Sequence, residues 1–186
     1  MQEPRTISTV PATVTRAQAM EALEGAGLAA LWRRTRLGIL RSVADVYVPF
    51  ALQKVALTNG RIRGQQILAV DAVSGNLDPY EFAEVPHSGK LAQVRTINYL
   101  PSQLSAQQTR DSALAVARRQ LYSRGFFRLR RDLHLQVEPL DLEVFIPYWV
   151  GFFGANHHAE LIVMDAVRGQ IEGAKVEGLL RSWIRS

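Results

Sequence analysis

The stretch Val46-Tyr47-Val48-Pro49-Phe50 recurs 98 residues later as Val144-Phe145-Ile146-Pro147-Tyr148, and this repeat decides the fold that we expect. Two other matches keep the same order along the chain: residues 5–11 match residues 95–101, and residues 70–75 match residues 164–169. The matching positions are mostly apolar or turn-forming, so the pattern specifies architecture. A repeat of this length is a small domain rather than a solenoid module, and the sequence therefore predicts an internal duplication about a pseudo-twofold axis.

Each half of the sequence has the pattern of a strand, a helix and a hairpin. In the first half, Thr15 stands where a helix N-cap is expected, and Asn59-Gly60 is a strong hairpin signal. In the second half, Ser105 is the candidate N-cap, and residues 142–153 and 160–167 are the expected hairpin strands. The predicted fold class is α+β, with two strand–helix–strand–strand units whose helices pack on antiparallel sheet.

Proline and glycine near the middle of the chain indicate a boundary between the two repeats. The predicted domains are residues 1–84 as the first repeat unit, residues 85–92 as a linker, and residues 93–186 as the second repeat unit with a C-terminal helix.

Composition limits the classes of function. The chain has 186 residues, of which 47% are hydrophobic and 21% charged, and this balance is typical of a globular protein. It contains no cysteine, which excludes disulfides, thiol catalysis and cysteine-ligated metals. The N-terminus has no apolar signal segment, and the longest uncharged apolar run, residues 144–155, is shorter than the about 20 residues that span a bilayer. We therefore expect a cytoplasmic protein without a transmembrane segment.

The ends of the two returning strands carry a family resemblance. They read Val70-Asp71-Ala72-Val73-Ser74-Gly75 and Met164-Asp165-Ala166-Val167-Arg168-Gly169. A helix followed by a hairpin that ends in Val-Asp-Ala-x-x-Gly resembles the PepSY domain and related cystatin-like folds. The resemblance covers residues 15–78 and 105–172, and the second stretch departs from the pattern at one position. It implies a small inhibitory or binding module, of a kind usually found outside the cytoplasm.

Asp71 and Asp165 occupy equivalent turn positions in the two halves. They could form a paired carboxylate site for acid–base work or for a metal. The alternative, which we prefer, is that each aspartate caps its own turn by accepting backbone N–H groups. His157 and His158 are neighbours and would point to opposite faces of an extended chain, so they do not predict a metal site. No catalytic residue and no cofactor is predicted.

The densest basic stretch interleaves arginine with aromatic residues. Its candidate binding residues are Arg118, Arg119, Phe126, Phe127, Arg128, Arg130 and Arg131. Arginine contacts phosphate and aromatic rings stack on bases, so this stretch is the best candidate for binding nucleic acid. A weaker counterpart, Arg33, Arg34, Arg36 and Arg41, lies in the first half. Because acids follow the stretch at once and the net charge is only +5, a solvated helix end is the preferred interpretation.

Aromatic residues also cluster on the apolar strand of the second half. Alternation along residues 148–153 turns Phe152 to one face of the strand and Trp149 and Phe153 to the other. One face serves the unit's own core, and the other is expected to meet the first unit, a partner chain or a ligand. Trp149, Phe152 and Phe153 are therefore candidate binding residues.

Three functional hypotheses follow from these patterns. The first is a non-enzymatic binding or assembly module whose partner is a protein or a second copy of the chain. The alternative is a nucleic-acid-binding protein that uses residues 118–131. The third is a small-molecule binder or enzyme with a pocket between the repeat units.

Overall fold

The structure is a computed structural model that describes residues 3–59, 62–123, 133–154 and 160–185. In chain order its elements are β1 (Arg5–Thr9), α1 (Arg16–Glu24), α2 (Gly27–Leu37), β2 (Leu40–Asn59), β3 (Ile62–Asp71), β4 (Tyr80–Phe82), a 3-10 turn (Ser88–Lys90), β5 (Ala92–Thr96), α3 (Ala106–Ser123), β6 (Leu133–Phe153), β7 (Glu160–Asp165), β8 (Gln170–Ile171) and α4 (Ala174–Arg185). Helices and a mostly antiparallel sheet are both present, so the predicted α+β class is confirmed.

Two long strands, β2 and β6, organise the sheet. The strand order is β4-β3-β2-β6-β1-β5, with β7 paired to β6 and β8 paired to β7. The register of the two hairpins is the same at their Pro-aromatic stretches, because Phe50 lies opposite Asp71 and Tyr148 lies opposite Asp165. Residues 60–61 and 155–159, which connect the strands of the two hairpins, lie outside the described residues.

The chain folds into two compact units that are built from discontinuous segments. The first unit comprises Met1–Val48, Ala92–Leu100 and Phe145–Ser186, and the second comprises Pro49–Leu91 and Pro101–Val144. The first unit therefore contains α1 with the hairpin β6–β7, and the second contains α3 with the hairpin β2–β3. In each unit the helix comes from one half of the chain and the hairpin from the other. The repeats predicted from the sequence, 1–84 and 93–186, are thus a different division of the chain, and the internal duplication stays a prediction.

In the first unit, α1 packs on β6 and β7. The helix begins after Thr15, whose hydroxyl accepts the backbone N–H of Gln18 while the Gln18 side chain accepts the N–H of Thr15, a reciprocal cap. The core of this packing consists of Ala19, Leu23, Val43, Phe153 and Met164, all of them buried. Gly151 sits beneath this helix, where an added Cβ would lie 3.1 Å from Leu23, so a glycine here permits the close approach of helix and strand.

The second unit repeats this arrangement with different side chains. Ser105 and Gln108 form the same reciprocal cap at the start of α3, as the sequence predicts. The core of this unit consists of Val55, Leu68, Val70, Ala113, Ala117 and Val137.

The recurring turn motif fixes the segment that enters each helix. In the second unit, Ala72 donates its N–H to Pro49 O at 3.0 Å and accepts the N–H groups of Gln103 and Leu104 at 2.9 Å. In the first unit, Ala166 donates to Pro147 O at 3.0 Å and accepts from residues 13 and 14 at 2.9 and 3.0 Å. The glycines that close these turns, at positions 75 and 169, have φ of 72° and 69°, which explains why glycine recurs there. The residues that repeat in sequence are therefore those that tie a hairpin to a helix entry.

A third cluster lies in the first unit around Tyr47, whose side chain is 8% exposed and packs with Ile7 and Phe145. Burial, together with the charge of Asp45 and a hydrogen bond to its carboxylate, raises the pKa of Tyr47 from 10.0 to about 12. The neutral phenol is thus favoured by folding. The resulting stability is fully present below about pH 10 and is lost as the pH rises towards about 12.

We expect Tyr47→Phe to weaken this alkaline loss of stability. The variant has no phenol to ionise at this buried position, so its melting temperature should fall less steeply from pH 10 to pH 12 than that of the wild type. Thermal melts followed by circular dichroism across this range would measure the difference, with Tyr122→Phe as the exposed control. Identical pH profiles for Tyr47→Phe and the wild type would contradict the assignment.

Candidate functional site

The outward face of α2 exposes large apolar side chains. Leu28 is 86% exposed, Leu31 60% and Trp32 58%, and Ile39, just beyond the helix, is 54% exposed. The three helical residues stand at positions i, i+3 and i+4, which places them on one side of a helix. We call Leu28, Leu31, Trp32 and Ile39 the α2 face.

Arginine flanks the α2 face on both sides. With 3.6 residues per turn, Arg34 and Arg36 project roughly 90–110° to either side of the apolar face, and both are exposed. The guanidinium of Arg36 lies 5.0 Å from the centre of the Trp32 ring, a cation–π contact. Residues 25–44 include four arginines and no acid, and the nearest acids in sequence are Glu24 and Asp45. The apolar face thus lies in a cationic segment.

The opposite side of α2 attaches the helix to the first unit. Ala30, Arg33 and Leu37 are half-buried on that side. The Arg33 guanidinium donates to the carbonyl oxygens of Ala22 and Leu23, both at 2.8 Å. Those carbonyls belong to the last turn of α1, where the helix leaves acceptors without intrahelical partners and a cation is favourable. Arg33 therefore has a structural role, and it holds α2 with its apolar face outward.

A cavity of about 250 Å³ lies in the first unit at the inner edge of α2. Arg33 and Arg34 supply its cationic wall, and Ile39, Leu40 and Phe153 supply its apolar wall. Glu24 also lines the cavity, so the charge of the arginines is partly balanced there. The Arg33 guanidinium in this cavity already donates to main-chain carbonyls, so it is engaged in structure rather than available to a ligand.

A second cavity, of about 210 Å³, lies in the second unit against α3. Its polar wall includes Gln66 and Gln120, which hydrogen-bond to each other at 3.1 Å. Gln120 also donates to Glu81 at 2.6 Å. These amides are therefore engaged with neighbouring protein groups.

The basic stretch predicted to bind nucleic acid is described only in part. Arg118 and Arg119 are exposed on α3, and Tyr122 follows within one turn with its ring 52% exposed. The remaining candidates, Phe126, Phe127, Arg128, Arg130 and Arg131, lie outside the described residues.

The aromatic strand contributes mainly to the core of the first unit. Phe153 is buried under α1, and Trp149 is half-buried at the edge of the same cluster. The indole N–H of Trp149 donates to Val14 O at 2.9 Å. The face that carries Trp149 and Phe153 therefore packs against residues of the first sequence half, one of the outcomes that alternation predicts. Phe152, on the other face, is half-buried.

The two aspartates cap their turns. Asp71 accepts the backbone N–H groups of Val73 at 2.8 Å, Ser74 at 3.1 Å and Asn76 at 3.3 Å, together with the Ser74 hydroxyl. Asp165 accepts the N–H groups of residues 167 and 168, both at 2.8 Å. Both carboxylates are buried. The prediction that these aspartates serve their turns is confirmed.

The sequence patterns did not identify the α2 face. The spacing of Leu28, Leu31 and Trp32 is a helical signal, but spacing alone does not show exposure, because an apolar stripe on a helix usually faces inward. Two features of the sequence could have revealed the exposure. Arg34 and Arg36 border the apolar stripe on both sides, and the small residue Ala30 lies on the opposite side of the helix.

Comparisons with known proteins give no family for this chain: no protein-family model, no curated protein and no solved structure matches it. Within the described residues, no group of three or more histidine, aspartate or glutamate side chains is placed to hold a metal ion. The helices formed by those residues are too short or too polar to cross a bilayer. His157 and His158 lie outside the described part of the chain.

Proposed function

We propose that this protein is a non-enzymatic binding module and that the α2 face is its binding surface. The observation that carries the proposal is the exposure of Leu28, Leu31 and Trp32 on one side of a helix that is fixed to the protein from its other side. Exposed apolar residues are ordinary when they are scattered, but a contiguous group marks an interaction site. Burying these side chains against a partner would favour binding by roughly 25 cal/mol for each Å² of apolar surface that is removed from water.

The roles of the other candidate residues support a binding function. The paired aspartates, which were the best candidates for acid–base chemistry, are occupied by the turns that they cap. The aromatic strand contributes to a core. In contrast, the described residues leave the apolar side chains of the α2 face exposed.

A second candidate function, nucleic-acid binding, is favoured by one observation. Arg118, Arg119 and Tyr122 lie within two turns at the end of α3, and all three are exposed. A phosphate backbone would contact the arginines and a base would stack on the ring. The remaining expectations, a protein partner or a second copy of the chain, a PepSY-like relationship, a ligand pocket between the repeat units and a cytoplasmic location, stay predictions.

The proposal is tested by comparing two surface variants. Leu28→Gln/Leu31→Gln removes apolar surface from α2 with a residue that favours helix, and Arg118→Glu/Arg119→Glu reverses the charge of α3. Three binding assays are run on each variant: self-association by sedimentation velocity, single-stranded RNA by fluorescence anisotropy, and anionic lipid vesicles by co-sedimentation. We expect binding in at least one assay to be lost in the α2 variant and kept in the α3 variant. If the α2 variant matches the wild type in all three assays, the proposal is wrong, and loss confined to RNA binding of the α3 variant would favour the second candidate.

A further inference from the structure

We propose that the α2 face binds the surface of an anionic lipid bilayer, with α2 lying along the membrane plane. The inference rests on the proposed function and names the partner of that surface. It is carried by three features of the described residues: the geometry of the apolar face, the charge around it and its size.

The geometry is that of a helix at a membrane interface. Such a helix inserts one apolar face shallowly among the lipid headgroups and keeps cationic side chains at its borders. In α2 the apolar side chains point outward, and Arg34 and Arg36 project on either side of them. Arginine places its apolar stem along the hydrocarbon boundary while its guanidinium remains among the phosphates. Trp32 is suited to the same depth because its ring is apolar and its N–H can meet a headgroup.

The charge favours an anionic surface over a neutral one. Arg34, Arg36 and Arg41 are exposed in an acid-free segment that spans residues 25–44. Each arginine near an anionic membrane strengthens binding roughly fivefold. Arg33 is not among the arginines that we expect to contact lipid, because its guanidinium already donates to the carbonyls of α1. Arg34 and Arg36 beside the apolar side chains, with Arg41 in the same acid-free segment, give both of the attractions that a peripheral membrane protein uses.

The size of the face argues against a protein partner. A stable protein interface uses about 800 Å² and roughly 20–30 residues on each side. The α2 face offers four apolar side chains on and just after a helix of eleven residues. A single helix presents a convex surface, so a protein partner would need a matching groove. A fluid bilayer adapts to a convex surface without one.

The attachment of α2 to α1 holds the α2 face in a fixed orientation. The Arg33 hydrogen bonds of 2.8 Å tie the middle of α2 to the last turn of α1. The helix is therefore formed before it meets a membrane, and binding does not have to supply the free energy of helix formation. This distinguishes α2 from segments that become helical only on the lipid surface.

Co-sedimentation of the full chain with lipid vesicles tests the inference. Vesicles of phosphatidylglycerol and phosphatidylcholine are compared with vesicles of phosphatidylcholine alone. We expect the protein to bind the anionic vesicles more strongly by roughly 25-fold or more, because each of two arginines at the surface contributes about fivefold, and to lose this binding as salt is added. Leu28→Gln/Leu31→Gln should abolish binding, and Arg34→Glu/Arg36→Glu should weaken it by roughly 25-fold or more.

The matched control is Arg118→Glu/Arg119→Glu, which makes the same charge change at two exposed helical arginines of α3. It should bind anionic vesicles like the wild type, and circular dichroism should show all variants folded. The inference is overturned if the wild type does not sediment with anionic vesicles, if the α2 variants bind like the wild type, or if the control loses binding as they do. The wild type could fail to bind vesicles and yet self-associate or bind RNA, with that binding abolished in the α2 variants. In that case the lipid inference is wrong and the proposed function stands. If no binding of any kind depends on α2, both are wrong.

Discussion

Phe153→Ala is expected to destabilise the protein by about 3–5 kcal/mol, the largest effect that we anticipate for one substitution. Phe153 is 2% exposed and packs with Ala19 and Leu23 of α1 and with Val43 and Met164 of the sheet. Truncation removes most of this contact and leaves a cavity beneath α1, which the glycine at position 151 does not fill. Urea unfolding at neutral pH, followed by circular dichroism, measures the loss.

The comparison for Phe153→Ala is Ile184→Ala on α4, where the side chain is 44% exposed. This substitution should change the free energy of unfolding by less than about 0.5 kcal/mol, as surface changes do. Equal losses of unfolding free energy for the two variants would contradict the prediction that the packing of α1 on β6 stabilises the protein more than a surface contact does.

Asp71→Asn is expected to cost about 2–3 kcal/mol of stability, the second largest effect. The carboxylate accepts the N–H of Val73 on one oxygen and the N–H of Asn76 on the other. An asparagine has one carbonyl oxygen, so in either orientation its NH₂ group faces a backbone N–H donor. The Asp71 carboxylate is buried, so a backbone donor that loses its acceptor there pays part of the desolvation cost.

Asp78→Asn removes the same charge at an exposed position and serves as the control for Asp71→Asn. It should leave the melting temperature nearly unchanged. The folded Asp71→Asn protein should keep any binding that depends on α2. Loss of binding at an unchanged melting temperature would revive the interpretation of Asp71 as a functional carboxylate.

The local structure of the chain was largely predictable because it depends on short-range signals. Thr15 and Ser105 are N-caps as expected, and the turn motif ends the returning strand in both hairpins. The strand alternation of residues 148–153 correctly separated Phe152 from Trp149 and Phe153. The expected strand 142–153 was too short, because β6 begins at Leu133 and runs through Pro139, a residue that exposed positions in strands tolerate.

The pairing of helices with hairpins could not be read from the sequence. The turn around Ala72 makes the same two hydrogen bonds to residues 103 and 104 that the turn around Ala166 makes to residues 13 and 14. Since the two turns offer the same backbone acceptor to their helix entries, the local pattern does not decide which helix joins which hairpin. Side chains do distinguish the sites: Gln53 is buried against Thr109 in one unit, while Gly151 lies under Leu23 in the other.

The candidate site was missed for a related reason. Periodicity predicts that α2 is amphipathic, but it does not say whether the apolar stripe is covered. The answer depends on Arg33, whose hydrogen bonds to the end of α1 direct the other side of the helix inward. That contact is tertiary and has no signal in the spacing of apolar residues.

The most direct measurement of the central claim uses a fluorescent label on the α2 face. Because the chain has no cysteine, Leu31→Cys creates one labelling position, and Ile184→Cys creates a control position on α4. Each is labelled with a dye whose emission depends on polarity and is titrated with phosphatidylglycerol-containing vesicles. The account predicts a blue shift for the label at position 31 and no shift for the label at position 184. A label at position 31 that stays in water while the protein binds the vesicles would contradict it.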